Sequence, residues 1–412
     1  MTQQVVVIGA GVIGITTALE LQRRGHSVLV LDRDGVAAQA SAGNAGAFAF
    51  PEIEPLATPG IMRKAPKWLV DPLGPLSIPP AYALKIVPWL FRFWRASRPA
   101  KYQTLLGAQA SMMTHSASAL ARLITDIDAE GMLQRDGQMQ LYEGEAEYRA
   151  SLPTWELRRQ YGIEFDLLES REAIAEIQPG LSPRFTHAGF TPNWMNVVDP
   201  KKWVEHLAKV FEGRGGRIER REVRTLSPVE EGVQIVMATK EAAAQKVVVC
   251  AGAWSHHLTN TLGDHIPLET ERGYNTTLPQ GAFDLRLHLT FPNHGFVATR
   301  INGGVRIGGA VELGGLSLPP NYRRADALLM KAEKFLPGLK TGGGTQWMGF
   351  RPSLPDSLPV IGTAKQTPDV IYAFGHGHLG LTQSAGTAEL VGAIIDGQSP
   401  QISLTSFSAT RF

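Results

Sequence analysis

With 412 residues, 43% of them hydrophobic and 19% charged, the chain has the composition of a folded protein and not of a disordered tail. Its 40 Lys and Arg against 38 Asp and Glu leave a formal net charge of +2, without the basic excess of a nucleic-acid binder. One cysteine, Cys250, excludes an intramolecular disulfide, and 43 glycines imply many turns and close backbone approaches.

The N-terminal apolar run flows into a glycine loop without a basic leader or a cleavage site, so no secretion signal is expected and the default compartment is the cytoplasm. No stretch reaches the roughly 18 apolar residues of a membrane span. Val5 to Ile8 form a β-branched run, as in a buried parallel strand. Gly9, Gly11 and Gly14 then spell G-x-G-x-x-G at the start of a helix, with Val12 and Ile13 between the last two glycines. Gly9 permits the tight turn, Gly11 lets a pyrophosphate approach the backbone, and Gly14 allows close helix–strand packing. The helix start adds free N–H groups for the phosphates. After Gly25, SVLVLD forms a second strand that delivers Asp32, followed by Arg33. The acid stands near the spacing at which a carboxylate bonds the ribose hydroxyls of adenosine. A dinucleotide is expected, and the loop alone leaves NAD and FAD open.

Regular βα units do not follow, as they do in a plain NAD enzyme. AQASAGNAGAFAF comes instead, in which Ser41, Asn44, Ala45 and Gly46 can lie along an extended cofactor. Residues 59–101 combine Trp68, Trp89, Trp94, Phe91 and Phe93 with Arg63, Lys64, Lys67, Lys85, Arg92, Arg95, Arg98 and Lys101, and Asp71 is the sole acid. Aromatics and cations on short helices suit contact with an anionic bilayer surface. Pro88 is expected to kink or end the second of those helices.

Further along, GQMQLY, HAGFT, ETERGYNTTL, GFVATR and GVRIGGAVE read as strands of a mixed or antiparallel sheet. Between them lie helical stretches such as QTLLGAQASMMTHSASALARLITDIDAEG. Val223 sits on a charge-flanked strand suited to backbone contact with an adenine. AQKVVVCAGAWS is a buried strand ending in Ala251, Gly252 and Ala253, ahead of Trp254, where small residues let the backbone face a ligand. Cys250 in that strand is a small apolar filler. No metal-ligand cluster or serine triad is evident.

WMGFRPSLPDSLPVIGTA and YAFGHGHLGLTQSAG close the sequence, with glycines crowded at the entrance to a helix, as if a ligand must approach that backbone. Taken in order, GAGVIG, LDR, SAGNAG, CAGAWS, GFRPSLPDSLPVIG and GHGHLGLT resemble the FAD-dependent D-amino acid oxidase superfamily, and within it the bacterial D-amino acid dehydrogenases. The resemblance implies an α/β fold. A Rossmann-like FAD-binding domain (1–56, 188–262 and 345–412) would carry an inserted α+β substrate domain with a mixed or antiparallel sheet (57–187 and 263–344). It implies that Gly377, His378, Leu379, Gly380 and Thr382 lie against the flavin, where free N–H groups at a helix start suit an electron-rich ring. His376 and His378 are read as hydrogen-bonded loop histidines, not as a catalytic base.

Arg351 matches the arginine that anchors substrate carboxylates in such oxidases, and a guanidinium suits a carboxylate through two parallel hydrogen bonds. Arg272 and Tyr274 are secondary candidates. The cysteine that tethers flavin in related sarcosine oxidases has no counterpart late in this chain, so FAD is expected to be non-covalent. The implied reaction passes the α-hydrogen of a small D-amino acid to flavin N5 as hydride, and the imine then hydrolyses to a 2-oxo acid and ammonia. The implied acceptor is a membrane quinone, reached from the cytoplasmic face of the inner membrane. Dioxygen remains open as acceptor, as do cyclic or secondary amines such as a hydroxy-D-proline or sarcosine-like compounds, for GHGHLGLT departs from the GHGTLGWT of broad D-amino acid dehydrogenases. The rivals are an NAD-dependent dehydrogenase and a non-catalytic, flavin-bound membrane tether.

Overall fold

The computed structural model describes residues 2–62, 74 and 76–412. A six-stranded sheet runs in the order Arg217–Arg220, Ser27–Asp32, Gln4–Ile8, Lys246–Val249, Val370–Phe374 and Val360–Thr363. All neighbours are parallel except the last pair. Its central strands are valine-rich because both faces are covered, which leaves no polar side of the pleat. On one face Val5, Val7, Val30 and Val248 pack against the helices Val12–Arg23, Pro200–Gly213 and Gly380–Ile395. On the other, Val6, Ile8, Val247 and Val249 meet Leu226, Val233 and Ile235 of a three-stranded antiparallel sheet. Each of these fully buried side chains contributes roughly 1.5–3 kcal/mol relative to exposure.

The helix Gly380–Ile395 is almost wholly buried because small residues let its neighbours close in. A Cβ on Gly386 would stand 2.4 Å from Ser116 Oγ. That contact belongs to the long helix Pro99–Asp126, whose Leu105, Met112, Ala119 and Leu120 join the same core.

The second sheet has nine strands. Along its path lie Thr345–Ser353, Glu269–Leu278, Gly304–Leu313, Phe296–Ile301, His288–Phe291, Gln138–Tyr142, His187–Thr191 and Asp166–Leu168, and Leu76–Ser77 pairs beside Gly304–Leu313. It is mixed, with His288–Phe291 parallel to Gln138–Tyr142 and most other pairs antiparallel. Met139, Leu289, Phe291 and Ile307 on one face bury against the helix Arg323–Phe335.

Pairing moves the expected domain limits at three points. His187–Thr191 hydrogen-bonds within the large sheet, so a limit at 188 cuts a strand. Thr345–Ser353 is an edge strand of that sheet, although it was expected in the dinucleotide-binding part. The helix Pro99–Asp126, expected in the substrate part, packs on the core of the other. Pro88 does not end its helix, which runs from Ala83 to Ala96 through it. Of the insert, Arg63, Lys64, Lys67, Trp68 and Asp71 lie outside the described residues.

Candidate active site

The loop after the first strand is built by contacts only glycine permits. Gly9 has φ +113°, and a Cβ there would lie 2.3 Å from the Cys250 carbonyl oxygen. A Cβ on Gly14 would stand 1.8 Å from the Gly9 carbonyl, so strand, loop and helix meet at backbone distance. Beside them opens a cavity of about 340 Å³. Gly9, Gly11, Asp32, Arg33 and Ser41 line one side, and Val223, Ala251, Gly252 and Trp254 the other. The sequence expectation thus converges on one place, from segments more than 200 residues apart.

Asp32 organises the rim. One carboxylate oxygen accepts the Ala10 N–H at 2.7 Å, and the other accepts those of Asp34 and Gly35 at 2.7 and 2.8 Å. The Ser41 hydroxyl accepts the Val12 N–H at 2.9 Å, while Ile13 packs against the core. Arg33 lies 4.0 Å over the Trp254 ring, which meets Phe350 edge-on at 5.4 Å. Cys250, at the cavity floor, has its thiol pKa pushed well up by burial, with a hydrogen bond to Thr17 opposing. Glycine N–H groups, a carboxylate at the second strand tip and an aromatic wall fit the adenosine diphosphate half of FAD.

The remaining cofactor candidates lie outside the lining of that cavity. Asn44, Ala45 and Gly46 lie in a turn clamped by the large sheet and by the short strand Met195–Val197 of a separate three-stranded sheet. Asn275 Nδ2 donates to the Gly43 carbonyl at 2.8 Å, Arg306 donates to that of Asn44, and Val197 N–H to that of Gly46 at 2.7 Å. Gly377 has φ +56° and donates its N–H to Pro352 at 2.7 Å, which ties the glycine-rich turn to the edge strand. Gly380 and Thr382 open the buried helix with first-turn N–H groups that lack helical partners. The Thr382 hydroxyl is engaged, accepting the Ala49 N–H at 2.9 Å. Leu379 differs from expectation: its N–H donates to the His376 carbonyl at 2.9 Å and its side chain packs beside Ala49 and Trp194. His376 bonds Thr387 at 2.9 Å, and burial lowers its pKa to about 3.

Beyond that helix start stands the edge strand carrying Arg351. Its guanidinium crosses the neighbouring strand over Gly273, where a Cβ would be 2.3 Å from Nη2, and donates from Nη1 to the Ala310 carbonyl at 3.1 Å. A register shift aims that carbonyl, with Ala310 at φ +54°. Among the described residues this is the only side-chain hydrogen bond of Arg351, whose pKa is lowered by burial, with Glu271 opposing. His378 is accessible yet crowded by protein. Desolvation lowers its pKa, Arg351 lowers it further, and Glu271 opposes.

Arg272 and Tyr274 are not brought to this place. Strand alternation turns them to the opposite face. Arg272 is fully buried, donating to Gly315 at 2.8 Å, to Glu312 at 3.0 Å, to Pro319 at 3.1 Å and to Leu318. Tyr274 donates to Glu312 at 2.9 Å and accepts the Asn321 N–H at 3.0 Å. Both tie the strand to the 312–321 loop. The same alternation exposes what was missed: Glu271, directly across from Arg351. Phe350, also missed, pairs with Arg272 on the other face and lines the cavity beside Trp254. Counting by two from Gly273 along ETERGY would have pointed to Glu271.

Residues 4–394 match the family described as FAD dependent oxidoreductase, DAO. A D-amino-acid oxidase of Bradyrhizobium diazoefficiens is 34% identical, with 100% of this chain and 99% of the relative covered. A D-amino acid dehydrogenase of Rhizobium johnstonii is 29% identical over 99% of this chain and 100% of its own length. The solved glycine oxidase of Geobacillus kaustophilus superposes with a TM-score of 0.79 at 20% identity, covering 100% of this chain and 99% of its own, a likeness of fold.

Proposed function

The chain belongs to the DAO family of FAD-dependent oxidoreductases, and from that premise we propose that it oxidises small amino acids of D configuration at the Cα–N bond. The observation that carries the proposal is Arg351, a half-buried guanidinium with a single side-chain hydrogen bond among the described residues, beside Glu271 and His378. A substrate carboxylate would take its donors in a bidentate pair, and the low dielectric would strengthen the attraction.

When bound, FAD supplies the two-electron acceptor for the Cα hydride. The cavity beneath Gly9, Gly11 and Asp32 would hold its adenosine diphosphate end, and the turn Ser41–Gly46 and the N–H groups of Gly380 and Thr382 its other half. Arg351 then orients the substrate's Cα, and the strand edge on one side with the buried helix on the other keeps bulk water from the reacting atoms. The imine released hydrolyses to a 2-oxo acid and ammonia. The one cysteine is buried below the Gly9 loop with its thiol held protonated, which supports non-covalent FAD.

For the acceptor we infer a membrane quinone, reached from the cytoplasmic face. No described helix is long and apolar enough to cross a membrane. The helix Ala83–Ala96 supports surface contact instead. Leu84, Val87, Phe91 and Trp94 line one exposed stripe, with Lys85, Arg92 and Arg95 beside it, while Ile86 and Trp89 anchor the other face on Leu313.

The test is the visible spectrum of the holoenzyme under nitrogen as D-amino acids, their L-enantiomers and D-proline analogues are added. Bleaching by D-substrates, with slow recovery in air and fast recovery on adding a quinone, is the expected result. Fast recovery in air would replace the quinone by dioxygen. Bleaching by L-enantiomers alone, or by none, would overturn the substrate class.

A further inference from the structure

Arg351 has a partner across the strand that its own role leaves unused. Glu271 is its register neighbour, and cross-strand neighbours stand about 4.5–5.5 Å apart at Cβ on the same face of a sheet. Glu271 is 5% exposed. Among the described residues it takes one side-chain hydrogen bond, from the Ser353 hydroxyl to Oε1 at 2.6 Å, and makes no ion pair. A buried carboxylate with so little compensation is costly unless something is brought to it. Its surroundings are defined: Arg351 and Ser353 face it from the edge strand and His378 from the glycine-rich turn. On its own strand Glu269 is engaged by Tyr82 at 2.8 Å, and Arg272 by Glu312 on the other face.

A guanidinium and a carboxylate held side by side, and not paired to each other, complement a zwitterion. We propose that Glu271 receives the ammonium of the amino acid whose carboxylate lies on Arg351, and removes its proton before oxidation. This rests on the substrate class proposed above. In the step, one N–H bond of the ammonium breaks, an O–H bond forms on Glu271, and the electron pair stays on nitrogen as the lone pair that assists departure of the Cα hydride. Two opposite charges become two neutral groups, a change that a desolvated site favours. The Ser353 hydroxyl holds Oε1, which leaves Oε2 for the proton. A substrate without an amine, such as a D-2-hydroxy acid, has nothing to give Glu271 and is selected against.

Two measurements on the holoenzyme test this. In the first, 2-aminoisobutyrate, an amino acid with no α-hydrogen to lose, and isobutyrate are titrated at pH 7 and followed by perturbation of the flavin band, which needs no turnover. The wild type should prefer the amino acid, and Glu271→Gln should lose that preference while binding isobutyrate unchanged, which also shows that the variant is folded. In the second, the anaerobic reduction rate is followed against pH. Glu271→Gln should fall about 100-fold at pH 7 and recover above the pKa of the free substrate's ammonium. An unchanged preference for the amine together with an unchanged pH profile would overturn the proposal. So would a profile that moves in His378→Asn but not in Glu271→Gln. Failure of every D-amino acid to bleach the wild type would instead overturn the substrate class, and the amine preference in binding would still decide the role of Glu271.

Discussion

The guanidinium of Arg351 lies across the backbone of Gly273, so close that a single added methyl would stand 2.3 Å from Nη2. Gly273→Ala therefore cannot leave Arg351 where it is. The colliding atoms are the end of a flexible side chain, so the guanidinium moves while the strand keeps its pairing. The expected outcome is a large rise in KM for the amino acid with a nearly unchanged melting temperature. Arg351→Ala should weaken substrate binding by about 30-fold or more, since losing one partner of a shielded charge pair costs about 2–5 kcal/mol. Steady-state kinetics beside a thermal melt separates these effects from general damage.

Gly14 faces backbone, which cannot yield as a side chain can. Its added Cβ would lie 1.8 Å from the Gly9 carbonyl, so Gly14→Ala must push helix from strand at the phosphate loop. We expect a loss of about 1–3 kcal/mol in stability, as for other overpacked sites. The protein should also purify with much less flavin, measured as the ratio of visible to ultraviolet absorbance.

Trp254 closes the cavity under Arg33 at 4.0 Å. Trp254→Ala removes that wall and the cation–π contact together, worth about 0.5–1 kcal/mol where exposed. The expected change is an FAD dissociation constant about 5-fold higher, by titration of the apoprotein, with KM for the amino acid unaffected.

Acid should destabilise the fold through a buried histidine. His288 sits beside Trp194 and Asn196, and burial lowers its pKa to about 3. The unfolded chain regains a value of about 6.5 and binds the proton that the native state refuses. Stability is therefore complete above about pH 6.5 and is lost as pH falls towards the native value, by about 1.4 kcal/mol per pH unit from this one group. Urea unfolding at pH 7, 6 and 5 should give that slope. His288→Gln should flatten it by one group's share.

The exposed stripe on the helix Ala83–Ala96 gives a variant that spares the fold. Phe91 and Trp94 are 55% and 41% exposed, so Phe91→Glu with Trp94→Glu removes apolar contact without touching Ile86 or Trp89 in the core below. Co-sedimentation with vesicles of anionic lipid should fall sharply, while anaerobic flavin reduction stays as it was. Unchanged sedimentation would remove the membrane from the account. Deleting the whole segment would be a poorer test, because it also strips that core.

What the sequence by itself determined lies where the physics is local. A β-branched run, glycines at fixed spacing, a helix and an acid at a strand tip are short-range constraints. Val5–Ile8, Gly9, Gly11, Gly14 and Asp32 accordingly stand where pattern alone put them, and so do Val223, Ala251, Gly252 and Trp254 along the same cavity. Arg351, singled out by its motif, stands across from Glu271 with one side-chain hydrogen bond among the described residues. What only the tertiary structure decided depends on which face of a strand meets which neighbour. In ETERGY the eye goes to Arg272 and Tyr274, yet pairing with Thr345–Ser353 turns Glu271 and Gly273 towards Arg351 and sends Arg272 and Tyr274 to Glu312. The domain limits followed the same rule. Strand membership is set by hydrogen bonds between segments far apart in the chain, and composition carries no record of those partners.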